Sequence, residues 1–356
     1  MSRRRYFVFL ISLILFGLIQ YFFLNNLRLF DLNSYNYANR FDFGGTVDGI
    51  NNVTPTPNVI FLGTSLLRYS LYALNETLSQ STSAPTATST VDPHVCQLAK
   101  GSLSRNYSFA IAGILVSDLN MIFRKYMNCD ITGGTVYVEC SPRAFYDSGI
   151  QPTATPAFKY FCDWRDVLSP RKALTNQTDR LQWLTNILIP MYRFRHDIQE
   201  NLVHFVTVAW KEVNQDLQLA TNTTSQHGGE VSDAPIKYPT VLAKSLAEYA
   251  GRYAGISGEK CAVQLTQLQD LVGQVKAKKA RPVLMVMPLT QANVDLLPPG
   301  FYTDWKNSLK RIALAEHCTF LDLSEYKFEN SDFQDSVHLN NTGSTKLLSI
   351  LEARTI

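Results

Sequence analysis

The chain has 356 residues, 46% of them hydrophobic and 18% charged, a composition that fits a globular protein with a real core. Its length allows one large domain or two small ones. The net charge is +3 and Arg3, Arg4 and Arg5 supply all of it, so the near-neutral body argues against nucleic acid as a partner.

The first predicted element is "YFVFLISLILFGLIQYFFL", Tyr6–Leu24, a run of 19 residues without a charge. A helix of that length spans the hydrocarbon core of a bilayer. Apolar residues occupy every face, which argues against a buried soluble helix. No small-x-small cleavage site follows, so the run reads as an uncleaved signal anchor, with a cleaved signal peptide as the alternative. Three arginines precede it and only Arg28 follows closely. The positive-inside rule then leaves the amino terminus in the cytoplasm and residues from about 25 onward in the periplasm or at the cell surface. The expected division is 1–24 as cytoplasmic tip and anchor, 25–57 as a stalk rich in Asn, Tyr and Gly, and 58–356 as the folded domain.

Within that domain, short apolar runs recur at 58–63 (NVIFLG), 107–113 (YSFAIAG), 135–140 (TVYVEC), 282–288 (PVLMVMP) and 319–323 (TFLDL). They are β-branched or aromatic and apolar on both faces, as buried parallel strands are. Helical patterns lie between several of them. The best covers 261–280, with Val263, Leu268, Leu271, Val272 and Val275 in one stripe and a basic last turn. Residues 340–354 form a closing helix. The alternation predicts an α/β fold, a five-stranded, mostly parallel sheet with helices on both faces.

Two stretches break the rhythm. Residues 78–94 are rich in Ser, Thr and Pro and read as a surface loop. Residues of about 144–260 form a largely helical insertion between the third and fourth strands. Asn52, Asn75, Asn106, Asn176, Asn222 and Asn340 each begin an N-x-S/T sequon, a pattern that an Asn-rich chain also produces by chance. The six cysteines, at 96, 129, 140, 162, 261 and 318, allow 15 pairings, and the spacing selects none. Cys140 and Cys318 border predicted strands and also fit buried free thiols. No Cys or His cluster suggests a metal, and nothing calls for a cofactor.

The chemistry is concentrated at two places. Ser65 follows the first strand in "FLGTSLL" and begins the next helix. Ligands of open parallel sheets bind at the carboxyl ends of the strands, and a helix amino terminus favours anions. Ser65 is therefore either a nucleophile or an ordinary helix cap. A serine nucleophile needs a base, and the base needs an orienting acceptor. "DFQDSVHLNNTG" offers both, because Asp335 and His338 sit three apart in a polar loop before the last helix. Read by itself, that pair is equally a solvated loop pair.

The combination of G-x-S after the first strand and D-x-x-H-L before the last helix resembles the SGNH/GDSL hydrolase superfamily. The match covers about 58–143 and 261–353. The resemblance implies a three-layer flavodoxin-like fold with a catalytic triad: Ser65 as nucleophile, His338 as acid and base, Asp335 as orienter. It implies an oxyanion hole made by the N–H groups of Ser65 and of Gly113, in "FAIAG"; the other reading of Gly113 is a simple turn glycine. Two positions depart from the pattern. Thr64 stands where the family usually has Asp, and "VECSPRAFYD" lacks the Asn that donates a further oxyanion hydrogen bond. Ser141 and Arg143 are the candidates for that gap, and Arg143 equally suits an anionic substrate group or a pair with Asp147.

The departures and the anchor resemble the membrane-anchored branch that includes the D-alanyl-transfer protein of teichoic-acid modification and the alginate O-acetylation proteins. That branch implies an esterase or O-acyltransferase acting on an acylated cell-envelope glycan or small acyl ester, beside a multi-pass membrane-bound O-acyltransferase. A catalytically weak glycan-binding or scaffold protein of the same fold is the alternative.

Overall fold

A computed structural model of the chain describes residues 3–25, 57–71, 106–150, 155, 181, 184, 185, 189, 192 and 238–354. The chain divides into two compact units, Met1–Phe41 with Thr178–Pro235, and Asp42–Gln177 with Ile236–Ile356. Nearly all of the 25–57 segment, the 78–94 loop, Cys96, Cys162 and most of the insertion lie outside the described residues.

In the first unit, Arg3–Asn25 is a 23-residue helix, α1. Its large apolar side chains from Phe9 to Phe22 are exposed. Among the described residues no helix is long and apolar enough to cross a membrane. The side chains of α1 are described without a break only over 9–22.

The second unit is built on five strands: β1 Val59–Gly63, β2 Asn106–Ala110, β3 Thr135–Cys140, β4 Arg281–Val286 and β5 Thr319–Asp322. Every pairing is parallel and the order is β2-β1-β3-β4-β5. Every residue of β1 and β3 is buried, so both faces of the sheet centre are covered, as their unbroken apolar runs require. β2 is shorter than its apolar run, because the chain turns away through Gly113, at φ +74°. β4 stops before Pro288, which has no N–H to continue the ladder.

Helices connect the strands. Among the described residues they are α2 at 65–71, α3 Val116–Tyr126, α4 Pro142–Phe145, α5 Tyr238–Arg252, α6 Gly258–Ala277, α7 Gln291–Val294, α8 Phe301–Ala315 and α9 Asn341–Arg354. α6 starts at Gly258 because the Ser257 hydroxyl caps it, accepting from the Lys260 N–H. Its buried face is Cys261, Gln264, Leu268, Leu271, Val272 and Val275; Val263 sits at the edge of that face rather than on it. Phe61 stacks on Tyr137 at 5.0 Å and Phe145 meets Trp305 edge-on at 5.5 Å, tying strands and helices into one core. Cys129, Cys140, Cys261 and Cys318 are free thiols; Cys140 is fully buried and Cys318 partly so.

The order places a topological switch between β1 and β3. The chain leaves β1 towards β2 on one side and returns to β3 on the other. The crevice at such a switch lies at the carboxyl ends of the two strands. Ser65 follows one of them and Arg143 the other.

Candidate active site

Gly63 ends β1 because nothing larger fits there. A Cβ at that position would meet Glu139 Oε2 at 2.5 Å and Leu67 Cδ2 at 2.8 Å. The next residue, Thr64, gives both its backbone N–H and its hydroxyl to the Glu139 carboxyl, the hydroxyl at 2.8 Å. Glu139 is fully buried in β3. Burial pushes its carboxyl above the usual range, against the Thr64 hydrogen bonds that work to lower it. An Asp at position 64 would set a second carboxyl against this one, so the Thr and the buried Glu belong together.

Ser65 opens α2 and is nearly buried, with its hydroxyl at the crevice. Its Oγ lies 3.1 Å from His338 Nε2. On the other side of the ring, His338 Nδ1 is 2.7 Å from Asp335 Oδ2. Asp335 Oδ1 meanwhile accepts the backbone N–H groups of Val337 and His338, both at 2.8 Å. Burial works to raise the Asp335 carboxyl, but the hydrogen bonds from the His338 ring and these backbone groups prevail and hold it below its ordinary value. An ionised Asp335 accepts the hydrogen bond of Nδ1–H and so holds the proton on that ring nitrogen, which leaves Nε2 able to accept from Ser65.

The loop that carries this pair is fixed from several sides. Phe333 and Leu339 form an antiparallel bridge, and the Gln334 N–H donates to the His338 carbonyl at 2.9 Å. Ser336, fully buried between Asp335 and Val337, is the anchor. Its hydroxyl is 2.6 Å from that of Ser245 in α5 and accepts from Asn293 Nδ2 of α7 at 3.2 Å. Its carbonyl accepts the Thr290 hydroxyl at 2.9 Å. Asn340 then caps α9, its Oδ1 accepting the Thr342 and Gly343 N–H groups while its Nδ2 donates to the Ser331 carbonyl. The amide of this sequon is thus engaged in the fold. Tyr69, 46% exposed, meets the His338 ring edge-on at 4.9 Å.

The crevice is an open cleft of about 450 Å³. Ser65, Gly113, Arg143, Asp335 and His338 line it, and α5 forms the facing wall through Lys244, Ser245, Glu248, Tyr249 and Arg252. Neither the Ser65 nor the Gly113 N–H has a partner among the described residues.

The two candidates after β3 separate. Ser141 is buried beside the Glu139 carboxyl, outside hydrogen-bond geometry, and does not line the cleft. It stands just past the end of β3, as the residue before α4. Arg143 does line the cleft, and its Nε also donates to Asp147 Oδ2 at 2.8 Å.

Glu139, Ser336 and the α5 wall are functional neighbours that the sequence motifs do not point to. Glu139 left a signal, a single carboxyl inside an otherwise apolar strand, since such a group is buried only with partners. Ser336 and Ser245, 91 residues apart, left none.

No protein-family model matches the chain, and no curated protein matches it.

Proposed function

We propose that the protein is a serine esterase or O-acyltransferase of the SGNH type, acting outside the membrane on an acylated cell-envelope glycan through an acyl-serine intermediate. One observation carries the reading. Ser65, His338 and Asp335 stand in hydrogen-bonded series at 3.1 and 2.7 Å, although Ser65 and His338 are 273 positions apart. The strand order β2-β1-β3-β4-β5, that of flavodoxin-type sheets, supports the three-layer fold.

In this reading Ser65 Oγ attacks the ester or thioester carbonyl and its proton passes to His338 Nε2. The N–H groups of Ser65 and Gly113 receive the developing oxyanion. His338 gives the proton to the leaving group as the tetrahedral intermediate collapses. Water or a glycan hydroxyl, deprotonated by His338, then takes the acyl group, and His338 returns that proton to Ser65 Oγ as the acyl–serine bond breaks. The uncharged run at residues 6–24, behind three arginines, supports an anchor with the catalytic unit on the extracytoplasmic side. A multi-pass membrane-bound O-acyltransferase is the partner such a tethered enzyme would work beside.

The second reading is a catalytically weak glycan-binding or scaffold protein of an envelope complex. Among the described residues no Asn lines the cleft, which favours it, since one oxyanion donor is then missing. A fluorophosphonate probe separates the two. Labelling of the full chain that disappears in Ser65→Ala and His338→Ala supports the enzyme. A folded, unlabelled wild type that binds glycan supports the second reading.

A further inference from the structure

We infer that Arg143 supplies the remaining oxyanion donor, and that Asp147 and Arg252 are the residues that position it. The inference deepens the enzymatic reading and rests on it.

An acyl-transfer site concentrates fixed donors where the carbonyl oxygen becomes negative. Two backbone donors are in place at Ser65 and Gly113. A third has to come from the loop after β3, across the switch point, and Arg143 is the polar side chain from that loop that reaches the cleft. It comes close to Gly113: Arg143 Nη2 lies 4.0 Å from the point where a Cβ on that glycine would stand.

Its mounting suits a preorganised donor. The side chain is only 12% exposed. Its Nε donates to Asp147 Oδ2, and among the described residues no partner takes the two terminal nitrogens, which remain for the cleft. Asp147 is itself held, by Arg252 Nη1 on the same oxygen at 2.8 Å and by the Gly149 N–H on Oδ1 at 2.9 Å. Burial works to raise the Asp147 carboxyl, but the two arginines prevail and keep it low. Arg252 has a second carboxylate, Glu248, at the exposed end, so Asp147 is the one carboxylate paired with Arg143 and Arg143 shares it with Arg252. A positive donor stabilises an oxyanion more than a neutral amide does. The family's missing Asn is thereby replaced by a group from the same loop, and the insertion contributes to the chemistry through Arg252 of α5.

The competing role for Arg143 is to bind an anionic group on the substrate. The two differ on a small neutral ester, which has no such group. For the full chain acting on p-nitrophenyl acetate, Arg143→Ala should lower kcat by about 10² to 10³-fold with KM little changed. Added guanidinium should restore part of that kcat in a saturable way. In Arg143→Ala/Asp147→Asn, at an unchanged melting temperature, the restoration should vanish, because the carboxylate that seats the cation is gone. A kcat retained within about threefold in Arg143→Ala, or a loss that guanidinium does not restore, overturns the inference while leaving the enzymatic reading intact. A wild type inert to both the ester and the fluorophosphonate overturns the enzymatic reading and this inference with it.

Discussion

Thr64 and Glu139 meet beneath the candidate nucleophile: the carboxyl of the strand residue accepts both the N–H and the hydroxyl of the turn residue. The contact joins the ends of β1 and β3 at the switch point. It explains why the strand ends in glycine, why threonine follows, and why β3 carries a buried acid. It also makes the turn before Ser65 sensitive to small changes.

Gly63→Ala adds a Cβ where Glu139 Oε2 and Leu67 Cδ2 already stand. Overpacking of this kind costs about 1–3 kcal/mol. Thermal unfolding should show the loss. A variant as stable as the wild type would mean that the Glu139 carboxyl moves aside freely.

Thr64→Asp places a second carboxyl against the first. The Glu139 carboxyl already has a raised protonation range through burial, so the pair would share a proton at low pH and repel once both ionise. The variant should lose stability relative to wild type as pH rises from 4 to 8, measured by urea titration. A loss independent of pH would point to packing alone.

Asp118 tests burial elsewhere in the same unit. It accepts the Leu115 N–H at 2.8 Å and the Thr155 hydroxyl at 2.7 Å, yet burial outweighs both and raises it from 3.8 to about 6. A carboxyl raised on folding contributes stability that is full below its unfolded value and lost as pH climbs through its folded value. Here the window runs from about 4 to about 6, and the gap corresponds to about 3 kcal/mol. Asp335 and Asp147, both lowered, act in the opposite sense, so the difference between wild type and Asp118→Asn isolates the term. That difference should shift by about 3 kcal/mol between pH 4 and pH 7, the asparagine variant gaining relative to wild type. An identical pH profile in both proteins would contradict it.

Ser245 and Ser336 form a buried hydroxyl pair between the insertion and the loop that carries Asp335 and His338. Either Ala variant takes the 2.6 Å partner from the other hydroxyl, which keeps only a longer bond to Asn293 Nδ2 or to the Ser336 N–H, whereas the double variant removes both hydroxyls. The cycle should give a coupling energy of about 0.5–3 kcal/mol, and each single variant should lower ester turnover by loosening the His338 loop. Additive stability losses with unchanged turnover would show that the loop is held without this bond.

Much of the fold was legible from period and composition. The apolar runs "VIFLG" and "TVYVEC" read as buried strands and are, and the D-x-x-H spacing brings carboxyl and ring together within one turn. Boundaries were less clear where local chemistry stops a strand early, as at Gly113 and Pro288. At the site, Ser65, His338 and Asp335 stood out because each sits next to a strand end or a turn. Arg143 and Ser141 could not be separated, since both follow the same strand and only the packing of β3 decides which one faces the cleft.

The sequence by itself determined which segments form strands and that a serine and an Asp–His pair sit at the ends of elements, because these depend on neighbours a few residues away. Tertiary structure alone decided the rest: that Ser65 and His338 come within 3.1 Å, that Glu139 lies under Thr64, and that α5 faces the triad. Those contacts join positions 75 to 273 residues apart. The order of the strands in the sheet, which no local pattern encodes, brings them together.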